Sequence, residues 1–268
     1  FPQLTVIHDL NFEHRPEGLP KRWRDYYQTE FPRFAKRAQV LGTVSEYSRR
    51  DLAETYGLDE GAIEVFSNAA DEAFQPGSPE MRDAARLALA EGRPYFICVG
   101  SLHPRKNVEG LMSAFEAYRK RGGTYDLVVV GVAMWSDTLP TLAEDVQTHV
   151  HFAGRLNNAD LVSAVAGAEC LVFVPWFEGF GIPVVEAMAC GVPVISSNVT
   201  SLPEVCGDAA FALVDPAASG GIAQEMHRLE LDSEAAQVAR ERGLVRAQHY
   251  SWAATGAKLD ETLKTLLS

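Results

Sequence analysis

The chain has 268 residues, 47% of them hydrophobic, with 24 Lys and Arg set against 36 Asp and Glu for a formal net charge of -12. Such a chain can bury one large or two small cores, and its acidity argues against nucleic acid as a partner, because binding a phosphate backbone needs a cationic surface. Cys98, Cys170, Cys190 and Cys206 lie in or beside apolar runs without CxxC spacing, which predicts buried, reduced thiols in a cytoplasmic protein rather than a zinc site. No apolar run approaches the ~20 residues of a membrane helix, and no signal-peptide pattern is visible at the N-terminus.

Residues 4–8 (LTVIH) read as a buried strand that starts abruptly, with no earlier element to pack beside it. His8 and Asp9 end it, at the position where ligands bind in an open α/β sheet; a His-Asp pair there also fits a plain loop cap. Between residues 19 and 38, Trp23, Tyr27, Phe31, Phe34 and Ala38 recur at helical spacing, with Pro32 expected to kink or break the helix. Residues 13–50 carry nine Lys or Arg against five acids. This local basic excess in an acidic chain fits anionic lipid headgroups or a lipid-diphosphate acceptor, and equally a solvated helix face.

Strands are expected at residues 40–44 and 63–66, with a helix between them that starts after Ser45 and runs through Leu52 to Tyr56. The run FQPGSP at residues 74–79 is a linker. Beyond it, strands at 95–99, 127–130, 150–152 and 170–174 alternate with helices at 108–118, 138–146 and 159–166, which predicts a parallel sheet covered on both faces. A further strand follows at 192–196, and the chain is helical and charged from residue 217, with Asp232 as a cap and a last helix beginning at Ser251 and Trp252.

Residues 175–191, PWFEGFGIPVVEAMACG, carry the chemistry. Glu178 and Glu186 stand eight positions apart around Gly179, Gly181 and Pro183, an order that describes a strand end, a glycine turn and a helix start. Glycines beside a helix N-terminus let a ligand approach backbone N–H groups, which favour an anion such as phosphate. Ionised carboxylates only accept hydrogen bonds, so the two Glu suit hydroxyl groups. A ligand offering both phosphate and hydroxyls is a nucleotide sugar. Residues 100–107, GSLHPRKN, lead from a strand into a helix, and there Arg105 and Lys106 can hold a diphosphate, stabilising the charge it gains as a glycosidic bond breaks.

The string EGFGIPVVEAMACGVPVI at residues 178–195 resembles the E-x7-E signature of GT-B retaining glycosyltransferases of family GT4, and the PRKN run at 104–107 resembles one mannosyltransferase-like subgroup of that family. The resemblance extends from Ile7 to Trp252. It implies a GT-B architecture, two Rossmann-like α/β domains with parallel sheets, the N-terminal one incomplete. It also implies a donor site in which Glu178 contacts sugar hydroxyls, Phe180, Gly181 and Ile182 meet the sugar and phosphate, and Glu186 holds the ribose. Gly100, Ser101, Arg105 and Lys106 would line the diphosphate, Arg155 would lie near the base, and His8 would approach the donor sugar. The chain departs from the family in having Ser101 where Arg is frequent, and Asn68-Ala69 where Asn-Gly is usual. Asn tolerates a left-handed turn, so the turn is expected to persist.

The function implied is transfer of a sugar from a nucleotide-diphosphate sugar to a glycan or lipid-linked acceptor, in polysaccharide or glycoconjugate synthesis. No metal or other cofactor is expected: the Asp-x-Asp triplet of metal-dependent GT-A transferases does not occur in the sequence, nor do HExxH, GxxxxGK or a complete GxGxxG. The expected division is an acceptor domain part at 1–75, linker and connecting helix at 76–92, donor domain at 93–249 and crossover helix at 250–268. A complete domain typically needs ~100 residues or more, so a fragment, or a shortened subunit whose partner chain supplies the N-terminal region, is expected. A peripheral contact of residues 15–37 with the inner face of a membrane fits the basic helix. Two other classes stay open: a noncatalytic nucleotide-sugar binding module, and an epimerase, for which only His8 is visible as an acid or base.

Overall fold

The computed structural model describes residues 2–133 and 142–268. Strands β1 (Leu4–Val6), β2 (Val40–Thr43) and β3 (Ile63–Val65) form a parallel sheet in that spatial order. A second sheet contains β4 (Tyr95–Val99), β5 (Asp126–Val130), β6 (Val150–Gly154), β7 (Cys170–Phe173), β8 (Val194–Ser197) and β9 (Ala212–Val214). Its spatial order is β6-β5-β4-β7-β8-β9, all parallel, so the chain works outward from β4 and then outward again from β7. The crevice above the carboxyl ends of β4 and β7 is the switch point of the sheet, where open α/β folds bind ligands.

The apolar runs form strands because both faces of the sheet are covered. Tyr95, Ile97 and Val99 of β4 enter one core with Val184, Val185 and Met188, whereas Phe96 and Cys98 enter the other with Leu111, Met112 and Phe115. This alternation is the two-residue period of a pleated strand. All four cysteines are free and buried, as expected from their apolar surroundings.

The first lobe has a smaller core built around Ile7, Leu10, Phe12, Leu41, Leu52 and Ile63. Helix Lys21–Arg37 runs through Pro32 without a break, contrary to one of the two outcomes expected there. Its aromatic contacts hold it: Phe31 meets the Phe12 ring edge-on at 4.8 Å, and Tyr27 lies 5.4 Å from the same ring. Trp23 and Phe34, expected on the inward face, stay exposed.

Local structure departs from or adds to the expectations in three places. Asn68 does not take a left-handed conformation; the positive φ values outside glycine belong to Glu91, Asn107 and Thr200. Residues of the SLPEV run at 201–205 enter a short helix, Leu202–Cys206. Strand β9 was not anticipated, because three residues between turns carry too little pattern to read. Of the helix expected at 138–146, residues 138–141 lie outside the described residues, and Glu144–Gln147 is helical.

The lobes are joined by side chains as well as by the linker. Val44 and Phe74 pack into the core of the second lobe. Helix Trp252–Leu267 returns to the first lobe, where Thr255 Oγ1 donates to the Ser67 carbonyl at 2.7 Å and Lys258 Nζ donates to the Val65 carbonyl at 2.9 Å. Trp252 itself remains 49% exposed; it is the neighbouring Tyr250 ring that meets Phe180 edge-on at 5.1 Å.

Candidate active site

Two loops meet at the switch point. The loop after β4 carries Gly100 to Asn107, and the loop after β7 carries Val174 to Gly181. Each is fixed from beneath. Asn107 is buried with a φ of 57°, and its Nδ2 donates to the Val174 carbonyl at 3.0 Å and to the Pro216 carbonyl at 2.9 Å. The Trp176 N–H donates to the Arg105 carbonyl at 2.8 Å, tying the loops to each other. A Cβ at Gly131 would lie 1.8 Å from the Gly100 oxygen, so a glycine just past the end of neighbouring β5 is what lets the first loop leave the sheet there.

These constraints bring Arg105, Lys106 and Glu178 into contact. Glu178 is 7% exposed, and its Oε1 accepts from Arg105 Nη1 at 2.8 Å and from Lys106 Nζ. Arg105 Nη1 also donates to the Phe177 carbonyl at 3.1 Å. The Lys106 stem passes over Gly100, and its ammonium lies 4.9 Å from the centre of the Phe173 ring. Two cations therefore share one carboxylate at the mouth of the crevice, leaving a net positive charge where charge-assisted hydrogen bonds to an anion can form.

The other anticipated residues divide into groups. Gly181 has a φ of 96° and precedes helix Ile182–Ala189, so the turn needs its glycine and the first helical N–H groups start beside it. The Phe180 ring is buried in the core, so only its backbone is available to a ligand. Glu186 lies on the helix, and among the described residues its carboxylate has no hydrogen-bond or ion-pair partner. Burial, reinforced by the Asp71 carboxylate of the first lobe, pushes its carboxyl up to about 7. Gly100, Ser101 and Ile182 are half-buried, whereas Arg155 is exposed at the end of outermost β6, away from the three-charge cluster. His8 is exposed on the first lobe, and its backbone carbonyl faces the second, since a Cβ at Gly179 would lie 2.4 Å from the His8 oxygen.

Several residues at this junction were not among the site residues expected from the sequence. Ser45 and Ser48 hydroxyls both donate to the Gly179 carbonyl, at 2.6 and 3.1 Å. Glu204 accepts from the Glu46 and Tyr47 N–H groups at 2.9 and 2.8 Å, supplying from the second lobe the acceptors that the start of helix Glu46–Tyr56 lacks. The Arg15 guanidinium lies 5.1 Å from the Trp176 ring, and His14 stacks on Phe177 at 5.3 Å while its Nε2 donates to Asp51 Oδ1 at 2.6 Å. Ser45 carried a local signal, since as an N-cap residue it accepts from the Ser48 N–H.

Comparison with known proteins gives the same fold and places the chain in a family. Residues 80–246 match the family described as Glycosyl transferases group 1. The chain is 30% identical over 254 residues to O-antigen chain mannosyltransferase B of Escherichia coli, covering 93% of this chain and 66% of that one. It is 29% identical over 237 residues to a GDP-mannose-dependent monoacylated alpha-(1-6)-phosphatidylinositol monomannoside mannosyltransferase of Corynebacterium glutamicum, covering 84% and 62%. It thus spans about two thirds of the length of these relatives. Among solved structures, sucrose-phosphate synthase from Thermosynechococcus elongatus superposes with a TM-score of 0.80 at 20% identity, over 100% of this chain and 68% of that one. Anabaena Alr3699/HepE in complex with UDP-glucose gives 0.80 at 20% identity, over 98% and 72%. With its two parallel α/β lobes and the family match across the second, the chain belongs to the group 1 glycosyl transferases and has the GT-B architecture.

Proposed function

We propose that the chain is the catalytic part of a retaining, metal-independent glycosyltransferase that takes a mannosyl or related sugar from a nucleotide diphosphate, GDP-mannose first among donors, and passes it to a glycan or lipid-linked acceptor. The observation that carries this reading is the convergence of Arg105, Lys106 and Glu178 at the strand-order switch, beside the glycine turn of the 182–189 helix. The C1–oxygen bond to the diphosphate breaks while an acceptor oxygen bonds C1 from the same face, and the acceptor proton passes to the departing phosphate oxygen. Arg105 and Lys106 supply the positive charge that this leaving group needs, and they do so more strongly as its charge develops. Glu178 has the acceptor oxygens for sugar hydroxyls, and Glu186 has them for a ribose.

The relatives named for GDP-mannose, for O-antigen chains and for a phosphatidylinositol monomannoside favour that donor and a glycan or lipid-linked acceptor. Helix Lys21–Arg37 exposes Trp23 and Tyr26 among Arg22, Arg24, Lys36 and Arg37, a surface suited to an anionic membrane from which a lipid-linked acceptor would be taken. Among the described residues no helix is long and apolar enough to cross a membrane. Isothermal titration of GDP, UDP and dTDP against the chain and its Glu186→Ala variant tests the donor reading. Binding of one nucleotide, weakened in the variant, is the expected result, and binding of none would remove it.

A further inference from the structure

The loop that carries both cations is held by a histidine that the transfer chemistry does not use. His103 is buried, and its Nδ1 accepts from the Arg105 N–H at 3.1 Å. Its carbonyl accepts from the Lys106 N–H at 2.8 Å, so both cationic residues hang from this one position. Burial, with the Arg105 charge beside it, lowers the affinity of the imidazole for a second proton, which keeps the Nδ1 lone pair available. The ring is confined from the first lobe as well. A Cβ built on Gly18, at the end of the Pro16–Gly18 turn, would lie 2.6 Å from His103 Cε1.

Resting on the donor-site reading above, we propose that His103 is the positioning residue for the diphosphate-binding cations, and that Gly18 of the first lobe holds its ring in the orientation that accepts from Arg105. The backbone of one lobe thereby sets the charges of the other. Trp176 closes the arrangement, since its N–H holds the Arg105 carbonyl while Arg15, beside the same turn, covers its ring. Gly18 has no positive φ, so alanine fits its backbone and disturbs only the contact with His103.

The test uses the whole chain and whichever of GDP, UDP and dTDP the wild type binds, compared with the corresponding monophosphate. Gly18→Ala and His103→Ala should each weaken the diphosphate about tenfold, the loss of one cap, at unchanged stoichiometry, with the monophosphate far less affected. His103→Asn, which keeps an acceptor for the Arg105 N–H and is smaller, should bind nearly as wild type and should restore binding in combination with Gly18→Ala. A merely structural role would lower stoichiometry and weaken both nucleotides alike; that result, or unaltered binding in Gly18→Ala and His103→Ala, overturns the assignment while leaving the donor site standing. Failure of the wild type to bind any of the three removes the donor reading and this inference with it.

Discussion

Arg105 and Glu178 lie 73 positions apart in the chain and meet at 2.8 Å, one on the loop after β4 and the other on the loop after β7. Because those strands are neighbours at the switch point, the acid of one loop neutralises part of the charge on the other. In the proposed donor complex, the diphosphate would compete with the Glu178 carboxylate for the same two cations.

Replacing Glu178 by Gln should therefore separate binding from transfer. The cations lose a competing anion, so free nucleoside diphosphate should bind no more weakly than to wild type, as titration would show. Sugar transfer should fall by about 100-fold or more, because the acceptor for sugar hydroxyls at the reacting centre is altered. Equal losses in both measurements would contradict the assigned role.

Glu186 should make nucleotide affinity depend on pH. Its carboxyl is pushed up to about 7 by burial and by Asp71, so it is neutral on the acid side and becomes a full acceptor only as it ionises. Affinity should rise from about pH 6 to about pH 8, while Asp71→Asn should move the midpoint to lower pH and Glu186→Gln should flatten the profile. The stability linkage has the opposite sense. A carboxyl raised in the folded state contributes stability that is complete below its ordinary range and is lost as pH climbs to about 7, so denaturant midpoints should fall over that interval and fall less in Asp71→Asn.

Glu204→Ala should loosen the seam between the lobes. It removes both acceptors for the Glu46 and Tyr47 N–H groups and should lower stability by about 1–2 kcal/mol in urea unfolding, the cost of losing a helix cap with its charge. Glu204→Gln, which keeps an acceptor oxygen, should lie between the two.

Asp126 offers a contrast remote from the site. It is 0% exposed at the amino end of β5 and accepts from Arg93 Nε at 2.8 Å while facing His149 at 2.9 Å and His151 at 2.6 Å. Asp126→Ala should destabilise the fold by about 3 kcal/mol through the loss of a buried acidic partner. Nucleotide affinity, measured under folded conditions, should stay unchanged, because ligands bind at the other end of the strands.

The class of fold and the chemistry-bearing run at residues 175–191 were legible from the residues alone. Runs such as YFICV and CLVF read as buried parallel strands because both faces are covered, and Gly181 was legible as a turn because the helix start that follows needs a residue free to take positive φ. Local pattern also identified Asp232 as a cap, and its side chain accepts from the Ala235 N–H at 2.9 Å. Local pattern could not pair Glu178 with Arg105 and Lys106, since that contact depends on β4 and β7 being adjacent, a matter of strand order. Nor could it assign Glu204 to a helix 157 positions away, or show His103 confined by Gly18. Propensity and period act over a few residues, whereas the charge state of Glu186 and the setting of the two cations arise where the lobes close on each other, and only tertiary packing decides which groups meet there.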